Sequence, residues 1–231
     1  MFNNKATIAP PPEKFSKLSL GFTLAEVLIT LGIIGIVAAL TIPTLIEKYK
    51  TKTTAVKLEK FYTIMSQAVL RWRNEEGITD DFFFPDDTIK NAEKSKIWYT
   101  NNLKPYINTQ LTDGEKLADH VHFAVNFNDG TGFVSYIADP HIMYFFYCTK
   151  FQYCELEHYA VEHYDGKRTF LFSLYNGNFY TSSGRATNLS RESLLDRCKN
   201  PSDGNPIHRH DCARLIQYDG WEIKPDYPIK L

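Results

Sequence analysis

From Phe22 to Ile46 the chain runs for 25 residues with a single ionisable side chain, Glu26. A helix needs roughly 20 apolar residues to cross a bilayer, so this run is long enough to do so. The fold is therefore split: the run belongs in lipid or against other apolar helices, and a water-facing domain must be built from the residues C-terminal to it. A carboxylate in such a segment is costly, which marks Glu26 as a functional candidate. Ahead of the run, Met1 to Leu20 holds Pro10-Pro11-Pro12, Lys14 and Lys17 and shows no apolar periodicity. It reads as a positively charged leader.

Inside the run, Gly32, Gly35 and Pro43 are poor choices for a helix that needs only to be stable. Pro43 removes the amide that would bond the Ala39 carbonyl and loosens that turn. Gly35 and Ala39 form a small-xxx-small pair that lets a second helix approach closely. Past Ile46 the pattern turns amphipathic, with Tyr49, Thr53, Val56, Phe61, Ile64, Met65, Ala68 and Trp72 spaced mostly by three and four. The helix is expected to continue to Glu76 and stop at Gly77. The predicted segments are a leader (1–21), a transmembrane half-helix (22–46), an amphipathic half-helix (47–76) and a globular head (77–231).

In the head a helix is predicted from Thr88 to Leu103, ended by Pro105. The period then changes to two. Val121, Phe123, Val125 and Phe127 alternate with His122, Ala124 and Asn126, and Asp129-Gly130 turns the chain into Phe133 to Ala138. A further strand covers His141 to Cys148, and Thr169 to Tyr175 pairs with Phe179 to Ser182 across Asn176-Gly177. A short helix, Arg191 to Lys199, is capped by Ser190. The predicted class is α+β: a long N-terminal helix packed on an antiparallel sheet, with a C-terminal loop bounded by cysteines.

The cysteines set the compartment. Cys148, Cys154, Cys198 and Cys212 all come after the apolar run, and an even count there points to disulfides outside the reducing cytosol. Three connectivities are open, of which the nearest-neighbour one, Cys148 with Cys154 and Cys198 with Cys212, is the expectation. Zinc is the rival, but neither pair has C-x-x-C spacing. Lys5, Lys14 and Lys17 before the helix are matched by Lys48, Lys50, Lys52 and Lys57 after it, so lysine count does not orient the segment; the cysteines do.

Several functions are disfavoured. The net charge is -1, too small a field to hold nucleic acid, so no nucleic-acid partner is predicted. H-E-x-x-H, G-x-S-x-G and a phosphate-binding glycine loop are all missing, and no catalytic residue, metal or cofactor is predicted. His158 and His163 are five apart and share no face of a helix or strand, while His208 and His210 lie in a Pro- and Gly-rich loop; all read as solvated histidines. Asp80, Asp81, Asp86 and Asp87 fit no calcium loop because Phe82 to Pro85 interrupt them. A signal peptide cut near Val37-Ala38-Ala39, ahead of a secreted or anchored hydrolase or binding module, is the alternative reading. Glu26 within its apolar core argues against it.

The stretch Gly21-Phe22-Thr23-Leu24-Ala25-Glu26-Val27-Leu28-Ile29 resembles the N-terminus of type IV prepilins and type II secretion pseudopilins. The resemblance implies cleavage after Gly21 by a prepilin peptidase and methylation of the new N-terminal Phe22. It implies assembly through Glu26, with Gly35 and Pro43 standing where family members bound a helix segment that loosens in filaments. The ending from Tyr218-Asp219-Gly220-Trp221 to Asp226-Tyr227-Pro228 looks like that of bacterial proteins described only as prepilin-type or type II secretion proteins. The implied fold is pilin-like. The implied partners are the prepilin peptidase, other pilin-like subunits, an inner-membrane assembly platform and membrane lipid. The implied location is the inner membrane, crossed once, with the head in the periplasm or outside and later in a filament. Beside the resemblance there is a physical reason for Glu26: cleavage at Gly21 leaves an amine on Phe22 that the carboxylate of a neighbouring subunit can neutralise, so mismatched registers are penalised.

Overall fold

Helix α1 spans Leu24–Glu76. It ends where Gly77 takes φ 65° and the Ile78 amide donates to the Arg73 carbonyl at 2.9 Å, a six-to-one closure that only a left-handed C′ residue allows. The structure, a computed structural model, describes residues 21–107, 111–113, 123–154, 164–182, 188–201, 204 and 209–231. Residues 1–20 of the predicted leader lie outside them. The chain divides into two compact units, Met1–Leu45 and Ile46–Leu231. In the first, the described residues are helical from Leu24 onward and almost all exposed. That helix is long and apolar enough to cross a membrane. By length and composition it is a membrane anchor or a signal segment.

The second unit is built on an antiparallel sheet of six strands in sequential order: β1 (Leu111–Asp113), β2 (Phe123–Phe127), β3 (Gly132–Asp139), β4 (Ile142–Cys148), β5 (Thr169–Tyr175) and β6 (Asn178–Tyr180). Each tight turn has a chemical cause. Asn176 and Gly177 both take positive φ, 45° and 72°, as a two-residue hairpin between twisted strands demands. Gly132 is required by close approach: a Cβ there would lie 2.4 Å from the Phe151 ring and 2.5 Å from the Val125 carbonyl.

Period-two alternation puts Val125, Phe127, Phe133, Phe145, Tyr147, Phe172 and Phe179 on one face, and the buried stripe Ala55, Leu58, Phe61, Met65, Ala68, Val69 and Trp72 of α1 packs against it. Phe61 is the hub. Its ring stacks on Tyr147 at 4.4 Å and meets Phe172 at 4.9 Å and Phe133 at 5.8 Å edge-on or tilted. The opposite face is apolar too, with Val134, Tyr136, Phe146 and Leu171 buried beside the Cys148–Cys154 loop.

Helix α2 is Ala92–Asn102, so it begins four residues later than the sequence pattern predicts. Thr88 ends a 3-10 turn in which its hydroxyl donates to the Pro85 carbonyl at 2.6 Å, and Lys90 takes φ 51°. The helix starts instead where the Asn91 side chain accepts from the Lys94 amide. At the C-terminus α3 (Arg191–Lys199) is capped by Ser190 and joined by Cys198–Cys212 to α4 (Cys212–Tyr218). The second bridge is Cys148–Cys154. Two disulfides belong to a domain outside the reducing cytosol. Arg191 clasps the tail by forked bonds to Asp219 (2.7 and 2.9 Å) and Asp226 (both 2.8 Å).

These contacts make two predictions. Phe61→Ala removes the side chain shared by most of the sheet and should destabilise the head by about 3–5 kcal/mol in denaturant unfolding of the solubilised chain. Asp165 contributes to acid stability. Burial pushes its carboxyl up, but the amides of Arg168, Thr169 and Lys167 (2.7, 3.0 and 2.9 Å) and the Arg168 side chain outweigh burial and hold it below the ordinary carboxylate range. A depressed folded value gives stability that is present above the unfolded value of about 3.9 and lost as pH falls through the folded one. Asp165→Asn should flatten the acid limb of a stability-versus-pH curve below about pH 4; an unchanged limb would assign acid unfolding to other carboxylates.

Candidate functional site

The residues from Gly21 to Glu26 form one local structure at the mouth of α1. Gly21, Phe22 and Thr23 are not helical, and the Gly21–Phe22 peptide is exposed, with the Phe22 side chain 87% accessible. Thr23 then starts the helix. Its hydroxyl accepts from the Glu26 amide at 3.2 Å, and Glu26 Oε2 accepts from the Thr23 amide at 2.9 Å and the Thr23 hydroxyl at 2.8 Å. This is a reciprocal capping box, T-x-x-E, which satisfies donors that a helix start otherwise leaves open. The acidic residue also lies in the first turn, where the helix dipole favours negative charge.

The box gives Glu26 a role within its own helix. Its carboxylate is fixed over the helix entrance through one oxygen, Oε2, and among the described residues Oε1 is given no hydrogen bond. Two other polar side chains of the run bond within the helix: Thr30 donates to the Glu26 carbonyl at 2.8 Å and Thr41 to the Val37 carbonyl at 2.9 Å. Glu26 is thus the one charged group of the apolar run and is held in a defined position.

The other sequence candidates lie apart from it. Gly35 is nine residues on, about 13 Å along the axis, and Pro43 is farther still. The helix is continuous through both, and among the described residues nothing comes within 4 Å of the Cβ position of Gly35. Cys148, Cys154, Cys198 and Cys212 serve as bridges in the head.

The rival sites fare differently. Glu157, His158, Glu162, His163 and His208 lie outside the described residues. His210 Nε2 lies 3.1 Å from the Tyr164 hydroxyl. The acidic loop does not converge: Asp80 bonds Asn178 and Arg73, which hold its carboxyl below the ordinary range, and Asp87 does the same with Lys94. Among the described residues no group of three or more His, Cys, Asp or Glu is placed to hold a metal ion.

Thr23 is the functional residue that charge and hydropathy overlook. Its signal is in the sequence, since Thr-x-x-Glu before an apolar run is a helix-start signature in its own right. No curated protein and no solved structure matches the chain. A family described as a family of unknown function, DUF6613, matches residues 44–231, which cover the whole of the second unit and leave the Gly21–Glu26 stretch outside. The chain belongs to DUF6613.

Proposed function

We propose that this chain is a pilin-like subunit, cut after Gly21 by a prepilin peptidase, methylated on Phe22, and assembled through α1 with like subunits at an inner-membrane platform. The observation that carries the reading is the pairing of an exposed, non-helical Gly21–Phe22 peptide with a capped helix whose only charge in the apolar run is Glu26. A peptidase needs an accessible bond outside a helix, and this one lies directly ahead of the cap.

Cleavage turns the Phe22 amide nitrogen into an ammonium. Thr23 keeps Oε2 of Glu26 occupied, so Oε1 is the acceptor presented to the ammonium of a neighbouring subunit. In low dielectric the pair is strong only in the matching register, and an unmatched carboxylate is penalised. The rest of the run, from Leu24 to Ile46, offers exposed apolar side chains such as Leu28, Ile36 and Leu40 that lipid covers first and neighbouring helices later. The head gives each subunit its own outer surface, and its role is assembly, with no reaction catalysed.

A second reading is favoured by the capping box itself: as a plain anchor the helix also gains from Glu26. Glu26→Gln separates the two, because Gln completes a capping box as Glu does but carries no charge. The expected result is normal cleavage and normal membrane insertion, with incorporation into filaments reduced tenfold or more, and Glu26→Ala no worse in incorporation than Gln. Wild-type incorporation of the Gln variant would leave Glu26 as a cap and the helix as an anchor.

A further inference from the structure

Two features of the head remain unused by that reading, and they complement each other. The first is a cavity of about 240 Å³ between α1 and the turn joining β2 to β3. Phe61, Ile64, Phe127 and Tyr147 wall it, and Lys57, Lys60 and Asp129 stand among its lining residues. The polar groups are already mutually bonded: Asp129 accepts from Lys60 at 2.6 Å and from the Thr131 hydroxyl at 2.6 Å, while Lys57 donates to the Thr149 carbonyl at 2.8 Å. Phe61, Phe127 and Tyr147 show the cavity only their edges, being 3%, 7% and 2% exposed, and an apolar group seated there covers those edges together with Ile64. Two ammonium groups against one carboxylate favour an occupant with acidic neighbours.

The second feature is Phe83. Its neighbours turn inward, with Phe82 packing on Trp72 and Phe84 on Trp98, but Phe83 stays 57% exposed. Asp81 and Asp86 flank it, both exposed. The knob is preorganised: the Phe84 amide donates to the Pro140 carbonyl at 2.7 Å, and the Phe83 ring lies against His141 at 4.6 Å.

We infer that Phe83 of one copy inserts into the Phe61–Phe127–Tyr147 cavity of a second copy, with Asp81 and Asp86 facing Lys57 and Lys60. Trp72, on which Phe82 packs, is eleven residues beyond Phe61, about 16 Å along the helix, so the knob and the cavity are separate patches of one head. Donor and acceptor surfaces that differ make a heterologous contact, which propagates head to tail instead of closing as a two-fold dimer. The inference rests on the reading of this chain as an assembling subunit and names the contact between heads.

The test uses the full chain in membranes, with a benzophenone amino acid in place of Phe83. Irradiation should give covalent dimers whose joined peptides include residues 57–64 or 127–131. In that labelled chain the pair Asp81→Lys with Asp86→Lys should lower dimer yield about tenfold, and Lys57→Glu with Lys60→Glu should restore the charge-reversed variant. Asp81, Phe83 and Asp86 are exposed, and retention of both disulfides on a non-reducing gel reports that each variant is folded. Crosslinks that map elsewhere, a crosslink to a different protein, or no dimer at all would overturn the contact. The N-terminus of the same sample separates the two readings. Phe22 exposed with crosslinks elsewhere defeats the head contact alone; crosslinks in the cavity of a chain still carrying Met1 keep the contact and defeat the processing.

Discussion

Phe61 is the side chain on which the head depends. It stands on the stripe of α1 that faces the sheet and touches rings from β2, β3, β4, β5 and β6, from Phe127 at 6.1 Å to Tyr147 at 4.4 Å. Five strands are therefore held to one helix by a common contact, and the geometry is specific because tilted, stacked and edge-on ring pairs are all directional. Helix α1 is shaped by this seam: its packed half carries the stripe from Ala55 to Trp72, and its apolar half carries no stripe at all. An amphipathic segment has one partner face, whereas a segment apolar all round is suited to lipid or to a ring of helices.

The chemistry at the start of α1 is organised on a different scale. Three hydrogen bonds between Thr23 and Glu26 fix a carboxylate over the helix entrance without help from the head. A group so placed has a local role, closing the helix, and on the proposed reading a second role that begins only when a neighbour brings an ammonium. On that reading the two roles use different oxygens, so one residue would serve both. The family match begins at residue 44, so it takes in the packed half of α1 together with the head and leaves the helix start outside. On the proposed reading the head defines the subunit's surface, and the helix start supplies the bond that admits it to an assembly.

Much of this was legible from the chain. Gly77 stops α1 because its φ is positive, the Asn176-Gly177 turn reflects a hairpin's need for left-handed residues, and short-range cysteine spacing is matched by the Cys148–Cys154 and Cys198–Cys212 bridges. What escaped has physical causes. Strand β1 is three residues long, too short for alternation to show. Helix α4 starts at a disulfide with no side-chain cap, since the Asp211 carboxylate is taken by Arg197 at 2.5 Å. The start of α2 moved because Lys90 is left-handed and Asn91 supplies the cap. Alternation also draws the eye to one sheet face and hides the other, where Val134, Tyr136 and Phe146 are buried as well. At the candidate site, Glu26 stood out by its charge, while Thr23 is an ordinary polar residue whose weight comes only from its spacing to Glu26.

The most direct test of the account is the mass and N-terminal sequence of the chain recovered from its own membranes with both disulfides intact. The account predicts a chain of 210 residues, the 231 of the precursor less the first 21, beginning at Phe22 and heavier by one methyl group. A chain that begins at Met1, or one cut near Leu40, would contradict it and leave α1 as an anchor or a discarded signal.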